Sequence, residues 1–363
     1  MIALRSTYQD GNKQYRGSYT SMLKTFKKPD LVDDWAASQT HFWEHVYAGQ
    51  RTFGCAMQGL SDTCPTVFVF DFDGDHVSIR DKPSSNFTDR ERGLFEDCAL
   101  RAEKYLWLFR QVILSGMRIH VPIAFDVYDI SLHGADVPIF CFQKDAANRN
   151  ILLPDIDFFW HGWYERTYNE ALWSEKQPIA FFAGSSTGGD LLSLDDVRYS
   201  RSQRLHWASS SINRPLVDIR ICDAVQCDSI ATDRELRDKP YFHPFIEWED
   251  QLAFRYLISM DGNGATCSRV VNTLKSKSVL LKVSSSKNLY YFEGLKPYEN
   301  YIPVRSISEV ERAVTDMESG YIDHQKIILS ANRFYTKYLS RSSVYRYTRK
   351  VLERYARQVI NRR

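Results

Sequence analysis

Apolar positions follow three patterns along this chain, and each predicts its own kind of element. Trp35, Phe42, Trp43 and Val46 recur at helical spacing within a polar stretch reaching to about residue 60, which predicts an amphipathic helix. Thr66 to Phe72 and His76 to Arg80 are strand-like runs joined by Asp73-Gly74-Asp75, which predicts a β-hairpin with an Asp-Gly type of turn. Helical sequence from about Arg90 to Ser115 leads into a predicted strand, Arg118 to Phe125. Further strands are expected at Val137 to Phe142, Ile179 to Phe182, Val217 to Ile221, Phe254 to Met260 and Val279 to Val283, with helices opening near Ser200 and at Thr266. Strands alternating with helices predict the α/β class with mainly parallel sheets. A break is expected near Trp173 to Pro178, which divides the chain into residues 1–175, 176–330 and a basic helical segment, 331–363.

Composition narrows the function classes. A formal net charge of +2 argues against a strong global field for nucleic acid. No apolar run approaches the ~18 residues of a membrane span, and the N-terminus lacks the apolar centre of a signal peptide. Seven scattered cysteines without a Cys-x-x-Cys read as free thiols, so a cytoplasmic protein is expected and the sequon Asn86-Phe87-Thr88 would stay idle. From Arg333 to Arg363, ten Lys and Arg face Glu353 alone, while Tyr345, Leu352, Tyr355 and Val359 give an apolar side. Such a helix either packs back on the N-terminal part or touches the inner face of an anionic membrane peripherally.

Candidate chemistry concentrates at strand ends. After Phe254 to Met260 comes a polar glycine turn, Asp261-Gly262-Asn263-Gly264-Ala265, and then a helix carrying Arg269 in its first turns. Strand, glycine turn and helix start place free N–H groups and a positive helix end together, which suits a diphosphate. The guanidinium fork would grip its oxygens. An ordinary βαβ turn reads the same way from the residues alone. Gly184 to Gly189, after Ile179 to Phe182, offers glycines with the hydroxyls of Ser185, Ser186 and Thr187. Asp126 and Asp129 end another strand, where carboxylates either face a ligand cleft or form a turn. Asp71, Asp73 and Asp75 sit in the hairpin without the following helix that a phosphatase-type loop requires, so no metal is assigned to them.

The run Gly264-Ala265-Thr266-Cys267-Ser268-Arg269, with Leu295-Lys296-Pro297-Tyr298 and Tyr301-Ile302-Pro303-Val304 downstream, resembles glycosyltransferase family 90. That family includes Rumi-type protein O-glucosyltransferases, capsule xylosyltransferases and bacterial lipopolysaccharide glycosyltransferases. The resemblance implies the GT-B architecture, two Rossmann-like domains facing a cleft, with the donor held mainly by the C-terminal one. It implies a diphosphate site made of Gly184, Ser185, Ser186 and the Gly264 to Arg269 run, with Arg201 or Arg204 at the family's later arginine position. Where the family has aromatic-Arg-Gly-Ser, this chain has Phe182-Ala183-Gly184-Ser185, so that first arginine is missing. The family's base position falls on Asp129, ahead of Val137-Pro138-Ile139-Phe140, and its asparagine position on Asp126, with one register step open between them. Phe159-Trp160-His161-Gly162 matches the family's Phe-Trp-x-Gly, where Trp160 either stacks on a sugar or fills the core.

The expected activity is metal-independent, inverting transfer from a UDP-sugar, UDP-glucose or UDP-xylose, to a glycan hydroxyl. A lipopolysaccharide core, a capsule glycan and a protein-linked glycan all fit as acceptor. The alternative is a nucleotide-sugar or carbohydrate-binding protein without catalysis, for which Ala183 is the best support.

Overall fold

The computed structural model describes residues 30–46, 51–83, 87–129, 131, 137–162, 165–188, 191–265 and 267–360. Helices α1 (Leu31–Val46) and α2 (Arg51–Thr63) lead to the hairpin β1 (Val67–Gly74) and β2 (His76–Ile79), then α3 (Asp89–Leu114) and β3 (Ile119–Asp126). Short strands β4 (Ile139–Cys141), β5 (Lys144–Asp145) and β6 (Ile151–Leu152) precede the single turn α4 (Asp157–Trp160). The second half runs β7 (Gln177–Ser185), α5 (Leu194–Arg198), α6 (Gln203–Ser211), β8 (Val217–Asp223), α7 (Ile230–Arg237), α8 (Trp248–Gln251), β9 (Phe254–Ser259), α9 (Cys267–Leu274) and β10 (Val279–Val283). It ends with β11 (Lys287–Asn288), β12 (Ile302–Val304), α10 (Ile307–Glu318), α11 (His324–Tyr338) and α12 (Arg341–Arg354).

Two five-stranded sheets organise these elements, ordered β2-β1-β3-β4-β6 and β12-β10-β9-β7-β8. In the first sheet β1 is antiparallel to β2 and β3, while β3, β4 and β6 run parallel; every pairing in the second is parallel. The expected α/β class with parallel sheets is therefore what the chain adopts. Strands β9 and β10 are almost wholly apolar because both faces of a parallel sheet are covered. Along β7 the residues alternate, with Ala180 and Phe182 in one core and Phe181 and Ala183 in another. A third pairing, β5 against β11, joins a strand of each half, and Ser286 Oγ donates to Asp145 at 2.7 Å beside it.

The hairpin forms where the sequence places it, with Asp73 opposite His76. Gly74 takes the first loop position at φ +67, so the turn is of the Gly-x kind, not the expected Asp-Gly kind. Its carboxylates are engaged: Asp71 holds Arg80 at 2.5 and 2.8 Å, and Asp73 lies 2.9 Å from His120 Nδ1. In α1, Trp35 and Trp43 are buried and Phe42 packs beside them, but Val46 is exposed at the last turn, off the expected apolar face. The sequon residue Asn86 lies outside the described residues. Cys55, Cys64, Cys98, Cys141, Cys222 and Cys227 form no disulfide. Among the described residues no helix is long and apolar enough to cross a membrane.

The apolar side of the basic C-terminal helix is used for packing. Val344, Tyr347, Val351 and Leu352 are buried in the core that contains the first sheet, and Tyr347 Oη donates to the carbonyl of Leu152 at 2.8 Å. Its charges meet α1: Lys350 lies 3.0 Å from Asp33, and Arg354 donates to both oxygens of Glu44 at 2.6 and 3.0 Å. Burial alone would raise the Glu44 pKa, but Thr40 and Arg354 outweigh it and hold the carboxyl below its usual range. A lowered folded-state pKa contributes stability above the unfolded value, and that contribution is lost as pH falls through the folded value. Glu44→Gln is therefore expected to cost about 1.5–3 kcal/mol at neutral pH. It should also flatten the acid limb of stability against pH, as denaturant melts from pH 3 to 7 would show.

Candidate active site

The C-terminal ends of β7 and β9 converge on one side chain. Arg204, on α6, donates Nε–H to the Asp261 carbonyl at 2.8 Å, Nη1–H to the Ser185 carbonyl at 2.9 Å and to Thr187 Oγ1 at 2.8 Å, and Nη2–H to the Met260 carbonyl at 3.3 Å. It thereby binds the Gly184 loop to the glycine turn. Gly262 is required for this: a Cβ there would lie 2.7 Å from Thr187 Oγ1 and 2.8 Å from Arg204 Nη2.

Arg269 lies close behind. It is buried, donates Nη1–H to Gln251 Oε1 at 2.7 Å and Nη2–H to the Ala183 carbonyl, and lies 4.6 Å from the Phe182 ring centroid. Its Nε–H has no acceptor among the described residues. Neither arginine forms an ion pair with a described carboxylate. Burial pushes the Arg204 guanidinium down to about 10, with Asp261 offsetting part of the effect. Burial and the like charge of Arg204 push Arg269 down to about 9. Guanidinium stays protonated in proteins, so both cations are buried with little compensation from the surrounding fold. Burying uncompensated charge costs on the order of several kcal/mol per ion, and an anion between or beside these groups removes that cost.

Facing this edge, the first half supplies acidic and amide groups. Arg101 Nη1 donates to Asp129 at 3.0 Å and to the Val127 carbonyl at 2.8 Å, and Arg101 Nη2 lies 3.9 Å from Asp157. Burial opposes the charge of Arg101, but Asp129 and Asp157 prevail and its pKa is raised. Lys104 lies 3.2 Å from Asp157 and its ammonium 5.3 Å from the ring of Trp160, which is exposed rather than in the core. Gln143 reaches across: its carboxamide donates to the Asp129 carbonyl and fills the space a Cβ on Gly264 would occupy. A cavity of about 250 Å³ separates the two walls, lined by Arg101, Asp129, Asp155 and Asp157 on one side and Arg204 and Gly264 on the other. A larger cavity, about 580 Å³, lies at the N-terminal end of β8 and shares no residue with this one.

The structure sorts the residues expected from sequence. Asp129, Arg204, Gly264, Ala265 and Ser268 line the cavity. Gly184 ends β7 beside Arg204, and Ser185 Oγ lies 3.3 Å from that guanidinium and 3.1 Å from Thr187 Oγ1. Ser186 points the other way, donating to the Val225 carbonyl at 2.8 Å and accepting Val225 N–H at 2.9 Å, so it braces the loop after β8. Arg201 is exposed, with its guanidinium 5.1 Å from the ring of Tyr199, and does not line the cavity. Asp126 is 1% exposed and accepts Tyr128 N–H at 3.2 Å, away from the cavity. Thr266 lies outside the described residues, and Cys267 is described only as the start of α9.

Arg101, Gln143, Asp155 and Asp157 went unnamed in the sequence reading. Gln143 directly follows the expected strand Val137 to Phe142, whose C-terminal end is a common ligand border, so that signal was available, whereas Asp155 follows the two-residue β6, which the sequence did not announce.

Several known proteins are similar to this chain. O-glucosyltransferase rumi of Drosophila melanogaster is 22% identical over 256 residues, covering 62% of this chain and 56% of that protein. The O-glucosyltransferase rumi homolog of Aedes aegypti is 24% identical over 202 residues, 52% of this chain and 43% of that protein. Uncharacterized protein 179R of Invertebrate iridescent virus 6 is 26% identical over 201 residues, 50% of this chain and 17% of that protein. The chain spans about half the length of the rumi proteins it matches. The sequence model of glycosyl transferase family 90 matches residues 127–361, which takes in Asp129, both buried arginines and the glycine turn. With well over half of its length matched, the chain belongs to glycosyl transferase family 90.

Proposed function

We propose that this protein transfers a sugar from a UDP-sugar to a glycan hydroxyl with inversion, using a GT-B cleft between its two sheets. The observation that carries the reading is a pair of buried guanidiniums without a carboxylate ion pair, Arg204 facing Asp129 across the cavity and Arg269 close behind it. The rumi relatives are named O-glucosyltransferases, which favours glucose over xylose as the donor sugar.

The diphosphate would lie along the glycine turn, against Arg204 and the start of α9, with Arg269 adding positive potential from behind. Negative charge accumulates on the leaving UDP as the glycosidic bond breaks. Fixed cations and N–H groups there stabilise the transition state without reorganising. Asp129 would take the proton of the acceptor hydroxyl as it attacks the anomeric carbon from the opposite face. Arg101 orients that carboxylate through a 3.0 Å hydrogen bond, and Gln143 fixes its backbone. Asp126, buried beneath the strand end, would support the fold and not the chemistry.

A reading without catalysis also has an observation behind it. The family's arginine position is Ala183, whose carbonyl receives Arg269, so one cation is missing from the diphosphate side. UDP release from UDP-glucose with and without acceptor separates the two readings.

Arg204→Lys keeps the charge but loses the fork, and UDP affinity measured by calorimetry should fall about ten- to hundredfold. Asp129→Asn should bind UDP-glucose normally and lose about 10²–10⁴ in turnover, whereas Asp126→Asn should lower the melting temperature more than the rate. Guanidiniums, not a cation held by Asp71 or Asp73, offset the diphosphate charge in this account. Turnover should therefore survive excess EDTA; loss on chelation and recovery with manganese would contradict it.

A further inference from the structure

A second basic pocket lies just beyond the glycine turn, at the C-terminal end of β10 and beside β12. Its volume is about 240 Å³, and Lys282, Ser284, Lys287, Asn288, Phe292 and Tyr301 line it. Lys282, half-buried on β10, has its ammonium 4.5 Å from the Phe292 ring centroid. A ring face attracts a cation but accepts none of its three N–H bonds in the ordinary sense. Among the described residues the Lys282 ammonium donates no hydrogen bond, and the side chains of Ser284, Asn288 and Tyr301 make none either. Lys287 spends one donor on the Asn263 carbonyl at 2.6 Å and keeps two. A nearby carboxylate is Asp261, half-buried and already accepting from Ser285 Oγ. Asp145, opposite Lys287 in the β5–β11 pairing, is likewise engaged by Ser286 Oγ at 2.7 Å, so both nearby carboxylates already accept from serines while Lys282 keeps three donors and Lys287 two.

The pocket adjoins the cleft. A narrow cavity lined by Asp129, Gln143, Asn263, Gly264 and Lys287 lies between them, so Lys287 borders both spaces. The remaining wall is apolar, formed by Val283, Leu295 and Pro303. Such a site rewards a group with negative charge and several acceptor oxygens on a partly apolar body.

We propose that this pocket is an anion subsite that takes a carboxylate or phosphate group carried by the sugar substrate, either on the donor sugar or on the acceptor. The inference rests on the reading of the neighbouring turn as the diphosphate site. Lys282 and Lys287 would bind the anion, with Ser284 and Tyr301 donating to its oxygens. It makes this enzyme selective for a charged sugar at a position separate from the diphosphate.

Calorimetry on the full chain distinguishes the sources. In one arm, UDP-glucuronic acid, UDP-glucose and UDP are titrated into the protein. In the other, protein saturated with UDP is titrated with glucose 6-phosphate, glucuronate and glucose. Tighter binding of the anionic compound by about tenfold or more in the first arm assigns the subsite to the donor, and in the second arm to the acceptor. Lys282→Met should abolish that preference and leave UDP affinity unchanged, while Lys282→Arg should retain it, which separates loss of charge from loss of fold. No preference for an anionic compound in either arm overturns the proposal. If UDP itself fails to bind, the diphosphate reading fails instead, and glucose 6-phosphate against glucose on the nucleotide-free protein still tests the lysine pocket.

Discussion

Two guanidinium groups buried without carboxylate partners set the terms for the rest of this structure. Arg204 is held by the carbonyls of Ser185, Met260 and Asp261, which solvate its N–H bonds but leave its charge uncancelled. The choice of neutral oxygens keeps a positive potential where β7 and β9 end, at the expense of folding free energy. The glycines follow from it, because Gly262 lets the turn approach Arg204 and Thr187 closely enough for these bonds to form.

The second constraint is the reach of Gln143. Its carboxamide rests on Gly264, in the second half, while donating to the carbonyl of Asp129 in the first. The short pairing of β5 with β11 fixes the same neighbourhood from the side. One residue thus sets the height of the carboxylate wall above the glycine turn, and a change at either end is felt at the other. Packing of α12 on α1 closes the first half and keeps β3, which carries the Asp129 loop, under a dense aromatic core that includes Tyr105, Phe109 and Phe125.

Much of this was legible in the sequence, for local reasons. The parallel strands are short apolar runs, and the glycine turn needs residues without side chains, so both leave a mark on a few adjacent positions. What escaped was set by distant contacts. Arg201 and Arg204 are three residues apart near one helix start, and only carbonyls from β7 and β9 decide that Arg204 is drawn inward while Arg201 stays in solvent. Asp126 and Asp129 divide similarly: Asp126 still pairs with Val67 in the sheet and is buried, whereas Asp129 lies past the strand end. Ser185 and Ser186 divide as well, because successive residues at a strand end face opposite sides, Ser185 toward Arg204 and Ser186 toward the Val225 carbonyl. Arg101 on α3 and the Asp155 to Asp157 turn are about fifty residues apart and meet only in the folded chain.

The central claim is that uncompensated positive charge at this edge exists to hold a diphosphate. Its most direct test is the dependence of affinity on phosphate number, measured by calorimetry with uridine, UMP and UDP at fixed ionic strength. The account predicts that UDP binds at least about tenfold more tightly than UMP, with uridine weaker still, because each added phosphate meets a buried guanidinium or a free N–H group. Equal affinities for the three compounds would contradict it.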